Sequence, residues 1–193
     1  MVAEAPLRYP LLRQLSLSAF DRPVSSESVN QLVEIFTHAS RLEILHLTCS
    51  DLLNSKHRLQ AACSSLTSLK EFRICWHEEP VSWAKDPLCR MVKQMQSPLV
   101  KAHLKFFGAD GGIGPDPAIL LHHSSATLEV LTVHNAAFQS ELQFPRVWKL
   151  SLHGVDYIPL ALVARKFPSL SDLTFSNTYH TSNPSMADHH FVR

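Results

Sequence analysis

The groups with which this 193-residue sequence could do chemistry are twelve histidines, seventeen acidic residues and four cysteines. The cysteines are Cys49, Cys63, Cys75 and Cys89, at spacings of 14, 12 and 14 residues. No C-x-x-C pair occurs, so neither a zinc knuckle nor a thiol–disulfide motif is implied. Four cysteines in a chain of this length are also too sparse for a disulfide framework. They read as free thiols in a reducing compartment. Cys63 and Cys89 fall in apolar helical patterns, where a thiol serves as a small hydrophobe. The pairs His122-His123 and His189-His190, the latter beside Asp188, invite a metal reading. Adjacent helical side chains project about 100° apart, unlike the one-faced ligands of H-E-x-x-H, and no metal is expected. Gly108–Pro115 holds four of the five glycines but lacks the G-K-[ST] of a phosphate loop, and Pro117 offers no backbone donor. It reads as a connecting loop. No cofactor follows, and with no G-x-S-x-G, H-E-x-x-H or kinase set, no catalytic residues are assigned.

The balance of 18 basic against 17 acidic residues gives a formal charge of +1, with 45% hydrophobic and 18% charged residues. Such a chain can bury a sizeable core, and it shows no general bias toward nucleic acid or anionic membrane. No apolar run approaches the length of a membrane span. The start, MVAEAPLRYP, has no basic stretch followed by an apolar one, so a secretory signal is not expected. An intracellular location, cytoplasmic or nuclear, follows.

The residues that must position any site come from a recurring six-residue pattern. It reads LRQLSL from Leu12, LEILHL from Leu42, LKEFRI from Leu69, LEVLTV from Leu128, VWKLSL from Val147 and LSDLTF from Leu170. A further copy falls near Leu99, where Leu99/Ala102/Leu104 and Lys101/Leu104/Phe106 fit equally. Successive copies begin 30, 27, 30, 29, 19 and 23 residues apart. The fourth and sixth positions are apolar and two apart, so each copy is a short strand with one buried face. Between strands the apolar period lengthens to that of a helix. Ser25 or Ser26 can cap a helix carrying Val29, Leu32, Val33 and Phe36, and Asn54 or Ser55 one carrying Leu59, Ala62, Cys63 and Leu66. Asp86-Pro87 and Asp116-Pro117 each pair a cap with proline at the first helical position. Pro159 opens a last helix with Leu160, Val163, Ala164 and Phe167 on one face. The 19-residue step from 128 to 147 leaves no room for a helix, so an extended crossing is expected there.

Strand, crossover helix and parallel strand, repeated seven times, give an α/β chain of right-handed solenoid type. The L-x-x-L-x-L strands resemble the leucine-rich repeat family, particularly its ribonuclease-inhibitor-like members, over roughly residues 10–178. The resemblance implies a curved parallel sheet on the concave side, with helices and irregular segments on the convex side. Residues 1–178 would form one repeat domain and residues 179–193 a polar, flexible tail. Neither end shows a cap, which leaves truncation on the N-terminal side open. The family's Asn or Cys at the ninth position is displaced here to the eighth, at Cys49, Asn135, Gly154 and Asn177, which puts its inter-turn ladder in doubt. Prolines before the strands (Pro10, Pro145, Pro168) look most like the divergent repeats of fungal F-box-type proteins. That likeness implies substrate recruitment to a ubiquitin ligase, although no Leu-Pro-initiated helical triplet precedes the first strand.

On the concave face the fifth position carries His46, Arg73 and His103 in succession, and the seventh carries Lys105, His134 and His153. Lys149 joins them from the third. This patch would accept a protein or peptide partner of acidic or phosphorylated character, more strongly as histidines protonate below about pH 6.5. The plainer alternative is a solvated polar face. Trp76 and Trp83 flank an acidic pair in what reads as a rim loop, where they would either anchor a partner or pack beneath the loop. The function expected is a non-catalytic protein–protein interaction module. A truncated repeat fragment is the alternative, and an enzyme is the least supported reading.

Overall fold

A computed structural model describes residues 9, 11–18, 25–48, 53, 56–76, 86–106, 114–155 and 158–176. The pattern found in the sequence forms seven strands: β1 (Gln14–Leu17), β2 (Ile44–Leu47), β3 (Glu71–Trp76), β4 (Lys101–Phe106), β5 (Val130–His134), β6 (Lys149–His153) and β7 (Asp172–Ser176). Between them lie α1 (Ser26–His38), α2 (His57–Ser64), α3 (Pro87–Gln94), α4 (Pro117–Leu120), a 3-10 turn (His122–Ser124) and α5 (Leu160–Lys166). All seven strands belong to one sheet in chain order, and every neighbouring pair is parallel. A parallel neighbour cannot be reached by a hairpin, so each strand must be followed by a crossover.

Register settles the ambiguous copy. Ala102 pairs with Phe72 and Leu131, and Leu104 with Ile74 and Val133, so Leu99/Ala102/Leu104 is the frame. Leu45, Phe72, Leu131 and Leu150 in the fourth row and Ile74, Leu104, Val133 and Leu152 in the sixth are all fully buried. They merge with Phe36, Leu59, Leu88 and Met91 of the helices into one continuous core. Truncating one such leucine to alanine costs about 2–5 kcal/mol, the lost transfer energy plus the cavity.

The helix starts follow their capping chemistry. Ser25 Oγ accepts the Ser28 amide at 3.1 Å, and Asp86 accepts the Cys89 amide at 2.8 Å. Asp116 accepts the Ala118 amide with one oxygen and the amides of Gln139 and Ser140 with the other. That second set ties down residues 137–148, which cross from β5 to β6 without a helix, as the short step required.

Two helices differ from expectation. The residue preceding α2 is Lys56, which makes no side-chain cap, and Leu66 is buried beyond the helix end rather than within it. Asn54 and Ser55 lie outside the described residues. In α5 the buried set is Val163, Lys166 and Phe167, whereas Leu160 is 70% exposed and Ala164 is exposed too. The helix is rolled so that the Lys166 stem, not Leu160, fills the space beside the sheet. Its amine finds no hydrogen-bond partner there.

Turns are fastened to one another by hydroxyls at the repeat spacing. Ser97 Oγ donates to Leu66 O and accepts the Leu69 amide. Ser124 Oγ donates to Ser97 O and accepts the Leu99 amide. Ser68, Thr127 and Ser169 each donate to a carbonyl one turn earlier. At the strand exits, Asn135 and Gly154 both adopt left-handed backbone, with φ of 53° and 64°. Asn135 Nδ2 donates to Phe106 O at 2.7 Å, so one inter-turn rung forms at the displaced eighth position.

Candidate functional site

The helices and the buried rows occupy one face of the sheet, and the third, fifth and seventh positions line the other. Pairing runs His46–Arg73–His103–Thr132 along the fifth row and Cys75–Lys105–His134–His153–Ser176 along the seventh. In these parallel strands a side chain meets the one opposite it and, diagonally, one two residues on. That brings His103, His134 and His153 together. The rings of His103 and His134 stack with centroids 5.2 Å apart and planes within 2°. Those of His134 and His153 stack at 4.3 Å and 18°. His153 Nδ1 pairs with Ser176 Oγ, while His103 Nε2 is buried without a hydrogen-bond partner.

Burial, with the charges of Arg73, Lys105 and the other rings, depresses the His103 pKa to about 4. Burial, His153, His103 and Lys105 push His134 down to about 3. His153 is lowered for the same kind of reason, burial first and Lys105 next. The row is therefore neutral at pH 7. For these three rings this corrects the expectation that charge is gained as soon as the pH falls below 6.5: half-buried, stacked rings resist the proton. His123 on the helical side is likewise held down to about 4 by burial and by His122, so it supplies no cation to the end of α4.

The charged residues are largely paired. Glu71 Oε1 lies 3.1 Å from His46 Nε2 and 2.9 Å from Arg73 Nε, and its other oxygen is 4.0 Å from Lys101 Nζ. Burial raises the Glu71 carboxyl, but the hydrogen bonds from His46 and Arg73 and the Arg73 charge outweigh it, leaving the pKa below the ordinary value. Lys149 Nζ pairs with Asp172. Across the described third, fifth and seventh rows, Arg73, Lys101, Lys105 and Lys149 face only two carboxylates, Glu71 and Asp172. These described rows are thus mildly positive without any help from histidine. Cys75 lies opposite Lys105, and burial raises its thiol pKa, so it is not a ready nucleophile.

Of the two tryptophans, Trp83 lies outside the described residues, as do residues 108–113 and 179–193. Trp76 is not in a rim loop. It is the last residue of β3, 1% exposed, its ring tilted 35° against that of Phe106 with centroids 4.7 Å apart, and its indole N–H donates to Asp86. Its alternation within the strand, inward at the eighth position, was the signal that the flanking-loop reading passed over. Trp148 is 44% exposed and sits at the entry to β6, beside Lys149. It stands at the second position of its copy, which the row-by-row reading of the sheet face omitted.

Fold and site define an α/β protein with a sequentially ordered all-parallel sheet and one open polar face. No family model, curated protein or solved structure matches the chain. No helix among the described residues is long and apolar enough to cross a membrane. Nor does any group of three His, Cys, Asp or Glu among them stand in position to hold a metal ion; the stacked rings run parallel and their lone pairs do not converge.

Proposed function

We propose that the chain is a leucine-rich-repeat-type solenoid and acts as a non-catalytic module that binds an acidic protein segment on the open face of its sheet. The observation that carries this reading is the row register. Among the described residues it places four cations and two carboxylates on a surface of aligned, outward side chains, with Ile44 and Val130 as the apolar members of those rows, while the fourth and sixth positions are turned into the core. Electrostatic complementarity of this kind sets partner choice and association rate. The hydroxyl ties at the repeat spacing support the solenoid, because they join four successive repeats, from the β2 copy to the β5 copy, each to the one before it. Recruitment of a ligase substrate is the narrower proposal and rests on the proline-preceded strands.

The test is a pull-down with wild-type chain and the Arg73→Glu/Lys105→Glu double variant. Loss of the captured partner by the variant supports the reading, and unchanged capture overturns it. Proximity labelling addresses the narrower proposal: enrichment of ubiquitin-ligase subunits supports recruitment, and their absence removes it.

A further inference from the structure

The three stacked histidines have no salt-bridge partner among the described residues. Among the described residues, Glu71 is engaged by His46 and Arg73 from β2 and β3, and Asp172 on β7 is engaged by Lys149 of β6. The remaining described groups that face the row are cationic or neutral: Arg73 and Cys75 on β3, Lys101 and Lys105 on β4 and Ser176 on β7. Two imidazolium rings 4.3 Å apart, beside Lys105, repel each other strongly, so protons on the row are mutually exclusive unless a negative charge arrives. His103 also holds a buried ring nitrogen with nothing to bond.

We propose that the His103–His134–His153 row is a proton-coupled carboxylate site: aspartate or glutamate side chains of a peptide lying across β4, β5 and β6 bind there with uptake of a proton onto the row. This rests on the reading of the face as an acidic-segment surface and adds the group that recognises the acid. The reaction is a proton transfer from solvent to an imidazole nitrogen as the carboxylate supplies the missing charge. The depressed pKa of His103, about 4, leaves ample room for the shift. A single ring returned to the ordinary value of about 6.5 tightens binding about tenfold at pH 5.5 and hardly at all at pH 7.5. By linkage, the peptide must raise the ring pKa as much as the proton raises peptide affinity.

The experiment uses the full chain and a fluorescently labelled hexa-aspartate peptide, whose carboxylates stay ionised above about pH 5. Anisotropy titrations at pH 7.5 and 5.5 and constant ionic strength are paired with calorimetry in two buffers of different ionisation enthalpy. Wild-type chain should bind about tenfold more tightly at pH 5.5, with net proton uptake. A His103→Gln/His134→Gln variant should lose the tightening between pH 7.5 and pH 5.5. Tightening that survives in the variant, or binding without proton uptake, overturns the inference. The parent reading is judged separately at pH 7.5, where Arg73→Glu/Lys105→Glu must weaken binding. Absence of hexa-aspartate binding at both pH values defeats both. Should the histidine variant not fold, ring titration of wild-type chain by NMR decides: peptide must raise at least one of the three ring pKa values, and unchanged values refute the site.

Discussion

Acid should destabilise this protein through its histidine row well before its carboxylates titrate. In the unfolded chain the rings bind protons near the ordinary value of about 6.5. In the folded protein His103 and His134 do so only at about 4 and about 3. Between these limits the unfolded state holds more protons, so folding stability is complete above pH 6.5 and declines as the pH falls toward the folded values. At about 1.4 kcal/mol per pH unit, the descent from 6.5 to 5 has a ceiling of roughly 2 kcal/mol per ring. Both rings are half-exposed, and solvent screening cuts that to about 1 kcal/mol each, or about 2 kcal/mol for the pair. Stopping at pH 5 keeps Glu71, whose own depressed pKa acts at lower pH, out of the window. The assay is urea unfolding at pH 7.5, 6.5, 5.5 and 5.0, followed by fluorescence of the buried Trp76. Wild-type chain should lose about 2 kcal/mol more across that range than the His103→Gln/His134→Gln variant. Parallel pH profiles for the two proteins would refute the argument that the stacked rings exclude the proton.

Other perturbations probe the scaffold. Lys166→Met keeps the buried stem and removes an amine with no hydrogen-bond partner, so the melting temperature should rise, by an amount equivalent to about 1–3 kcal/mol; a fall would mean the amine is stabilised in place. Ser97→Ala strands the Leu69 amide and removes the donor to Leu66 O, for a loss of about 1–3 kcal/mol in denaturant unfolding. Gly154→Ala puts a side chain on left-handed backbone with its Cβ 2.0 Å from Asn135 Oδ1, and should cost at least about 1–2 kcal/mol. The double variant with Asn135→Gly should recover the clash component, seen as a positive coupling in a double-mutant cycle.

Most of the scaffold was legible because period 2 and period 3.6 alternate cleanly along the chain. Leu45, Leu131 and Leu150 could hardly face anywhere but the core, and once the strands were aligned the three outward rows followed without further information. Aspartate before proline gave two helix starts for equally local reasons. What escaped was decided by packing between turns. The roll of α5, which buries Lys166 and exposes Leu160, depends on how the helix packs and not on its own periodicity. The serine ties are invisible as a motif, because a hydroxyl has no periodic signature and only the fold brings Ser97 beneath Leu66. The histidines were placed correctly in rows, but their charge state was not. Burial of the rings, with Lys105 and neighbouring charges beside them, depresses their proton affinity, whereas each residue alone advertises an ordinary imidazole.

The in-register rows also set a ruler for whatever lies across them. Neighbouring strands are about 4.8 Å apart, whereas alternate side chains of an extended peptide recur about every 6.7 Å. The two spacings disagree at adjacent strands and come back into phase after three strands, about 14.4 Å, against four peptide residues, about 13.4 Å. A straight segment crossing the sheet would therefore come into step with every third strand, β3 and β6 or β4 and β7 for instance, with its own matched groups four residues apart. Under the proposed function the sheet would select on spacing as well as on sign, and two acidic side chains at that interval would satisfy a length condition that a denser acidic run meets no better.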